Sequence, residues 1–310
     1  MLQYHSLDNL NLQNTWLTIG IFDGVHRGHQ EILHQLVSGA HGAGAPAVVL
    51  TFSPHPAVVL GGRTDFKYLT TPEERLELLG SLGVDVVINQ IFDRLLADQS
   101  AAVFMRRLSQ ALDLGHLVIG YDTALGRGRE ADAARLKELG TNLGYSVQVV
   151  PALMDTSGII SSTRIRQAVL AGKVSAAASD LGRPFSITGP VIHGDGRGHT
   201  INIPTANIQI PEEKILPAFG IYASRAWVNG QPHLAATSLG VRPTFYGDPL
   251  SPTIEAHLLD FHQNLYGQLV KLEFMEYLRS EEKFNSVDTL VKQIQKDISQ
   301  TRKILGITNG

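Results

Sequence analysis

Through the first half of the chain, short apolar runs alternate with amphipathic stretches, and this alternation predicts a parallel sheet covered by helices on both faces. Strands are expected at Trp16–Phe22, Ala47–Phe52, Val84–Asn89, His116–Gly120 and Val147–Val150, with helices beginning near Gly28, Pro72, Ser100, Glu130 and Ser162. Pro72 followed by Glu73 and Glu74 suits a first helical turn, where proline gives up no hydrogen bond and acids meet the positive end of the helix dipole. After Leu181-Gly182-Arg183-Pro184 the texture changes. Gly, Pro and Thr become frequent, and runs such as Gly220–Val228 and Leu269–Met275 read as strands of a β-rich barrel or sandwich. The chain closes on Ser286–Leu305, where Val287, Leu290, Val291, Ile294, Ile298 and Leu305 fall on one helical face behind a Ser286 cap. The expected division is an α/β domain over residues 1–182 and a β-rich domain over residues 183–310.

The 310 residues, 43% of them hydrophobic, suffice for two domains that each bury a core. No stretch reaches the apolar length of a membrane span, and the first ten residues lack a secretory pattern, so a cytoplasmic protein without a membrane partner is expected. The absence of cysteine removes disulfides, thiolate nucleophiles and sulfur-bound zinc. A net charge of -3 exerts no long-range pull on a polyanion, so nucleic acid is not an expected partner. Small anionic ligands need only local cations.

Three segments carry chemistry. The run Gly20-Ile21-Phe22-Asp23-Gly24-Val25-His26-Arg27-Gly28-His29 follows a predicted strand and opens a helix, where an α/β sheet presents backbone N–H groups to an anion. His26 and His29 can set two imidazoles on one side of a phosphate and donate hydrogen bonds to charge that grows in a transition state. The alternatives are ordinary surface histidines, or zinc ligands without the glutamate that a metalloprotease helix places between them. Ile160-Ser161-Ser162-Thr163-Arg164-Ile165-Arg166 starts a second such helix, where Ser162, Thr163 and Arg166 form either an anion pocket or a simple cap with solvated arginines. The third segment is discontinuous. Gly194, Gly196 and Gly198 make a loop that is either a hairpin turn or a phosphate cradle. Thr205 and Asn207 offer neutral oxygens suited to Mg²⁺ beside a nucleotide, and Glu255 lies on a predicted strand. No G-x-x-x-x-G-K-[ST] string occurs, so any kinase chemistry proceeds without that phosphate loop.

The H-x-G-H box resembles that of the nucleotidyltransferase superfamily, which includes the class I aminoacyl-tRNA synthetases. The fuller string from Gly20 to His29, followed by Thr51-Phe52-Ser53-Pro54-His55-Pro56, resembles the bacterial bifunctional riboflavin kinase/FMN adenylyltransferase family, also called FAD synthetases. Leu181-Gly182-Arg183-Pro184, Pro204-Thr205-Ala206-Asn207, Thr253-Ile254-Glu255-Ala256-His257 and Leu265-Tyr266-Gly267 extend that resemblance over nearly the whole chain. The resemblance implies a Rossmann-like nucleotidyltransferase domain, a β-barrel kinase domain with a long terminal helix, and ATP, riboflavin, FMN and FAD as partners. It implies that Gly20, Phe22, Gly28, Asp122, Ser162 and Thr163 bind ATP, with His26, His29 and Arg166 acting in adenylyl transfer. In the second domain it gives Glu255 the role of general base, and gives Gly194, Gly196, Gly198, Thr205, Asn207 and Arg279 nucleotide or flavin contacts. Asp122 also reads as a turn residue, and Arg279 as half of a surface ion pair. The alternative function keeps the adenylyltransferase and makes the second domain a non-catalytic flavin-binding module. The chain departs from the family pattern at Thr123, where an aromatic is usual, at Asn202, where glycine is usual, and at Ser238-Leu239-Gly240, which replaces Asn-Ile-Gly.

Overall fold

The computed structural model describes residues 1–8, 10, 12–62, 65–194, 203–242 and 251–306, so the expectations placed on Gly196, Gly198 and Asn202 lie outside the described residues. The chain divides into two compact units, Met1–Ser162 and Thr163–Gly310. The boundary expected at residue 182 lies some way into the second of these.

In the first unit the elements are β1 (Leu2–Tyr4), β2 (Thr15–Ile19), α1 (Arg27–Gly42), β3 (Ala47–Ser53), α2 (Pro56–Gly61), α3 (Pro72–Ser81) and β4 (Val86–Ile91). They continue with α4 (Arg94–Ala97), α5 (Ala101–Leu112), β5 (Leu114–Gly120), α6 (Ala133–Leu143), β6 (Ser146–Val150) and a small hairpin, β7 (Met154–Asp155) with β8 (Gly158–Ile159). Six strands form one parallel sheet in the order β1-β4-β3-β2-β5-β6. Because side chains alternate along a strand, the apolar run of β3 feeds two cores. Val48 and Leu50 join Leu17, Ile19, Leu117 and Ile119 beneath α5 and α6, while Ala47 and Val49 join Val87 and Val118 beneath α1 and α3. The Rossmann-like expectation holds. Two details differ from it. The strand expected over Trp16–Phe22 stops at Ile19, because Phe22 adopts a left-handed φ of 53° that no strand accommodates. The three-residue strand β1 is too short and exposed to show a period-2 pattern.

The second unit holds α7 (Ser162–Leu170, its first residue closing the first unit), α8 (Val174–Leu181), β9 (Phe185–Ile192), β10 (Ala206–Ile208), β11 (Gly220–Val228), β12 (Gln231–Arg242), β13 (Ser251–Leu258), β14 (Leu269–Arg279) and α9 (Val287–Leu305). Its strands pair antiparallel and close into a barrel in the order β10-β13-β12-β11-β14-β9. Phe185, Tyr222 and Phe274 fill the interior, with the Tyr222 and Phe274 rings edge to face at 5.1 Å. Burial pushes the Tyr222 phenol far up, and its hydroxyl donates to the Ala218 carbonyl.

The terminal helix begins behind the expected Ser286 cap, which closes a capping box with Thr289. Its inward face keeps most of the apolar stripe read in the sequence, with Leu290, Val291, Ile294 and Ile298 half-buried and Leu305 buried, and adds two polar residues to it. Val287 is exposed, whereas Asp297 and Thr301 are buried. The reason is electrostatic: Asp297 accepts from Arg279 Nε at 3.0 Å and from Nη2 at 2.7 Å, pinning the helix to the end of β14. Replacing Asp297 by Ala leaves a largely buried guanidinium without its counterion, and should lower unfolding stability by about 3 kcal/mol in urea titrations. A midpoint unchanged from the parent would show that the pair contributes nothing.

Candidate active sites

In the parallel sheet the chain runs outward from β2 in one direction and from β5 in the other, so the crevice at their carboxyl ends is the topological switch point where open α/β sheets bind ligands. The Gly20–His29 segment leaves β2 and the Tyr121–Arg129 segment leaves β5, so both predicted loops open at that point. The first loop is strained. Phe22 and Val25 have φ of 53° and 39°, each a left-handed conformation that costs about 1–2 kcal/mol for a non-glycine residue.

A set of buried polar contacts holds this conformation. The Asp23 carboxylate accepts from the backbone N–H of Leu69 at 2.9 Å and of Thr70 at 3.1 Å, and Thr70 Oγ1 accepts from Gly24 N–H at 3.0 Å. The Ile21 carbonyl accepts from Arg75 Nη1 at 2.9 Å and from Thr51 Oγ1 at 3.3 Å. Ser162 Oγ donates to the Asp23 carbonyl at 2.9 Å. Asp23 and Arg75 are structural supports of this loop that the sequence reading passed over. An aspartate in a Gly-rich loop reads as a turn residue, and an arginine in a first helical turn reads as a solvated charge. Only their burial, at 3% and 5% exposure, reveals otherwise.

The two histidines meet. His26 is buried and caps α1, its Nδ1 accepting from the His29 N–H at 3.3 Å, so its proton sits on Nε2. The rings stack at 3.6 Å with 21° between their planes, and the Phe22 edge packs on His29 at 5.1 Å. His29 Nδ1 is buried without a hydrogen-bond partner. Burial first, then His26, then the Arg75 charge, holds His29 well below the ordinary imidazole value. His29 is therefore held as a neutral imidazole, stacked on the ring that caps α1.

Gly28 has a local reason as well: a Cβ there would stand 3.1 Å from His26 Cε1 and displace the ring. Gly20 likewise abuts the Phe22 ring, which is part of the core, so that ring serves as a wall. Asp122 is exposed just past the end of β5, and Arg129 Nη2 donates to its carbonyl at 2.8 Å. On α7, Thr163 is exposed and Arg166 half-buried, while the neighbouring Arg164 is bound to Asp180 of α8 through Nε at 2.8 Å and through Nη2.

In the barrel, strand register brings the predicted residues together. Asn207 of β10 and Ser238 of β12 lie directly opposite Glu255 of β13, one on each side. Their strand neighbours Ala206, Ile208, Ile254, Ala256, Thr237 and Leu239 point into the core, so Asn207, Glu255 and Ser238 share the outer face. Thr205, two residues before Asn207, is half-buried like it. A Cβ at Gly194 would collide with the Asn207 amide, so a larger residue there would have to displace that side chain. His257 Nδ1 donates to the Pro204 carbonyl at 2.7 Å and ties β13 to the Pro-Thr-Ala-Asn box. Ser238 Oγ donates to Glu281 Oε1 at 3.3 Å, bringing a second carboxylate to the end of the row. Arg279 stands apart, engaged by Asp297 and the Ser280 carbonyl. Among the described residues no group of three His, Asp or Glu side chains is arranged to hold a metal ion.

Both halves of the chain have counterparts in known families. The FAD synthetase family model matches residues 8–164, and the riboflavin kinase model matches residues 181–305. Fold, loops and models together define a two-domain enzyme, an α/β nucleotidyltransferase joined to a β-barrel kinase. Bifunctional riboflavin kinase/FMN adenylyltransferases from Listeria monocytogenes (38% identity, covering 93% of this chain and 92% of that one), Bacillus subtilis (38%, 91% and 89%) and Escherichia coli K12 (35%, 98% and 97%) align over nearly their full length. The chain belongs to the bifunctional riboflavin kinase/FMN adenylyltransferase family. A crystal structure from Streptococcus pneumoniae, described as a macrolide-efflux protein, shares the fold at a TM-score of 0.90 with 33% identity over 97% of this chain and 98% of that one. Among the described residues, however, no helix is long and apolar enough to cross a membrane. The riboflavin kinase match also disfavours the reading in which the second domain binds flavin without catalysis.

The lowered His29 value has a thermodynamic consequence. The unfolded chain takes up a proton near pH 6.5 that the folded site refuses, so this contribution to stability is full above that pH and declines as pH falls toward the depressed native value. In His29→Gln the pH dependence of unfolding below about pH 6.5 should flatten relative to the parent; equal slopes in calorimetry would contradict the assignment.

Proposed function

We propose that this chain phosphorylates riboflavin to FMN at the Glu255 row of the barrel, and adenylylates FMN to FAD at the histidine pair of the α/β domain, with ATP as donor in both. The observation that carries this reading is the register that sets Glu255 between Asn207 and Ser238 on a barrel whose chain also carries the paired imidazoles. We assign residues 1–182 to the adenylyltransferase and 183–310 to the kinase, so that the helix bearing Ser162, Thr163 and Arg166 serves the first reaction. This division is supported by the start of the riboflavin kinase match at residue 181.

At the barrel, the Glu255 carboxylate takes the proton from the ribityl 5′-hydroxyl while that oxygen bonds to the γ phosphorus of ATP and the β–γ bridge breaks, releasing ADP. Thr205 and Asn207 would hold Mg²⁺ beside the phosphates. Neutral side-chain oxygens suit a cation that keeps most of its waters and phosphate ligands, and when bound it neutralises charge on the transferring group. Arg279, fixed by Asp297, orders the loop on the flavin side. In the first domain an FMN phosphate oxygen bonds to the α phosphorus of ATP and pyrophosphate leaves. That nucleophile is already ionised, so His26 and His29 donate hydrogen bonds to the growing charge, with Arg166, Ser162 and Thr163 on the departing phosphates and Gly20, Phe22, Gly28 and Asp122 shaping the nucleotide site. The enzyme works in the cytoplasm with no membrane or nucleic-acid partner. The chain's slight negative charge and lack of cysteine suit that setting.

Riboflavin, ATP and Mg²⁺ incubated with purified protein should yield FMN and then FAD on chromatography. Glu255→Ala should lower FMN formation by about 100-fold or more while FAD formation from supplied FMN survives; equal loss of both would argue against separate centres. His26→Ala and His29→Ala should each depress the turnover of FAD formation more than the KM for ATP, because their hydrogen bonds strengthen in the transition state.

A further inference from the structure

Arg75 is a buried cation that neither the sequence motif nor the reaction scheme uses. Its guanidinium makes one hydrogen bond, from Nη1 to the Ile21 carbonyl at 2.9 Å, and lies 5.6 Å from the centre of the Tyr68 ring. Nε is buried without a partner, and no ion pair joins Arg75 to a carboxylate among the described residues. Such a group is expensive to desolvate, and a neutral side chain of similar shape would fill the space at lower cost. Its single bond falls at a particular place. Ile21 precedes Phe22, whose left-handed φ of 53° aims its ring edge at His29, 5.1 Å away.

Resting on the adenylyltransferase reading, we propose that Arg75 is a positioning residue for His29, acting through the Ile21 carbonyl and the Phe22 ring to set the imidazole that faces the transferred phosphate. Two effects act together. The hydrogen bond keeps the Ile21–Phe22 peptide in the orientation that backs His29, a task it shares with Thr51 Oγ1 at 3.3 Å. The fixed charge opposes formation of an imidazolium, so His29 stays a neutral donor stacked on His26. The charged or titratable groups that bear on His29 are His26 and Arg75, and those that bear on Arg75 are Asp23, Tyr68 and Glu73, whose fields sustain its charge against burial. Lysine cannot reproduce the arrangement fully, because it offers the charge without the flat fork that spans the carbonyl and the tyrosine face.

The test compares Arg75→Met and Arg75→Lys with the parent in the full-length protein. The His29 titration is followed by ¹H–¹⁵N spectra of histidine-labelled protein without substrates, using His29→Gln for assignment. FAD formation from FMN and ATP is followed against pH. Arg75→Met should raise the His29 titration midpoint, move the acid limb of kcat/KM for FAD formation upward in step with it, and lower kcat about tenfold or more with KM for ATP little changed. Arg75→Lys should keep the midpoint near that of the parent and recover part of kcat. FMN formation by the barrel, unaltered in both variants, serves as the control for folding. Should Arg75→Met leave the His29 midpoint and the acid limb where they are, the proposal is overturned. A loss confined to KM would equally overturn it, making Arg75 a substrate-binding cation. A parent protein that forms no FAD at all would instead sink the adenylyltransferase reading, while the substrate-free titration would still decide whether Arg75 governs His29.

Discussion

The first active site depends on one buried carboxylate. Asp23 gives a side-chain oxygen to the backbone N–H groups of Leu69 and Thr70 and its own carbonyl to Ser162, so a single residue fixes the β2–α1 loop to two distant stretches of the chain. Without such anchoring, a loop with left-handed φ at Phe22 and Val25 would relax to a conformation of lower energy. With it, the strain persists and its product is useful: His26 becomes the cap of α1, and His29, one turn along, is stacked beneath it. A capping residue is an immobile residue, which is what a transition-state donor has to be.

The second site is fixed by a different constraint. In the barrel, register alone decides which side chains meet, because a slip of one residue would turn Glu255 from the outer face into the core. The buried neighbours on both sides of Asn207, Glu255 and Ser238 oppose that slip by the free energy of their own burial, on the order of 25 cal/mol per Å² of apolar surface. Chemistry at the surface is thus held in place by packing beneath it. The Arg279–Asp297 pair extends this to the terminal helix, where an ion pair joins the half-buried apolar stripe in fixing the face turned to the barrel.

The architecture was legible wherever hydrophobic period and local chemistry agreed. The apolar runs of β3 and β5, the helix start at Pro72-Glu73-Glu74, and the Ser286 cap each state their element within a few residues. The motif glycines and histidines were legible as well, because a strand, a turn and a helix start had to coincide there. What escaped was whatever depends on tertiary neighbours. Arg75 looks like any charged residue of a first turn until Ile21 and Tyr68 are placed around it. Asp297 interrupts the predicted stripe because its partner lies eighteen residues earlier on another element. Ser238 was noticed only as a departure, and its hydrogen bond to Glu281 emerges from a loop whose course no local pattern determines.

The two centres differ in a way that their nucleophiles explain. An alcohol holds its proton tightly at neutral pH, so the proposed kinase step calls for a base, and Glu255, set between Asn207 and Ser238, is the carboxylate that the barrel register brings to that row. A phosphate monoester arrives ionised and needs no base, so the proposed adenylyl transfer calls for hydrogen-bond donors, and His29 is held in its neutral form. An imidazolium in place of His29 would grip a triphosphate more firmly in the ground state, yet strong binding of the ground state does nothing for turnover. Burial and the cation at Arg75 both press His29 toward the uncharged form. In the proposed adenylyl transfer, that neutrality would keep the hydrogen bond of His29 for the moment at which the α phosphate accumulates charge.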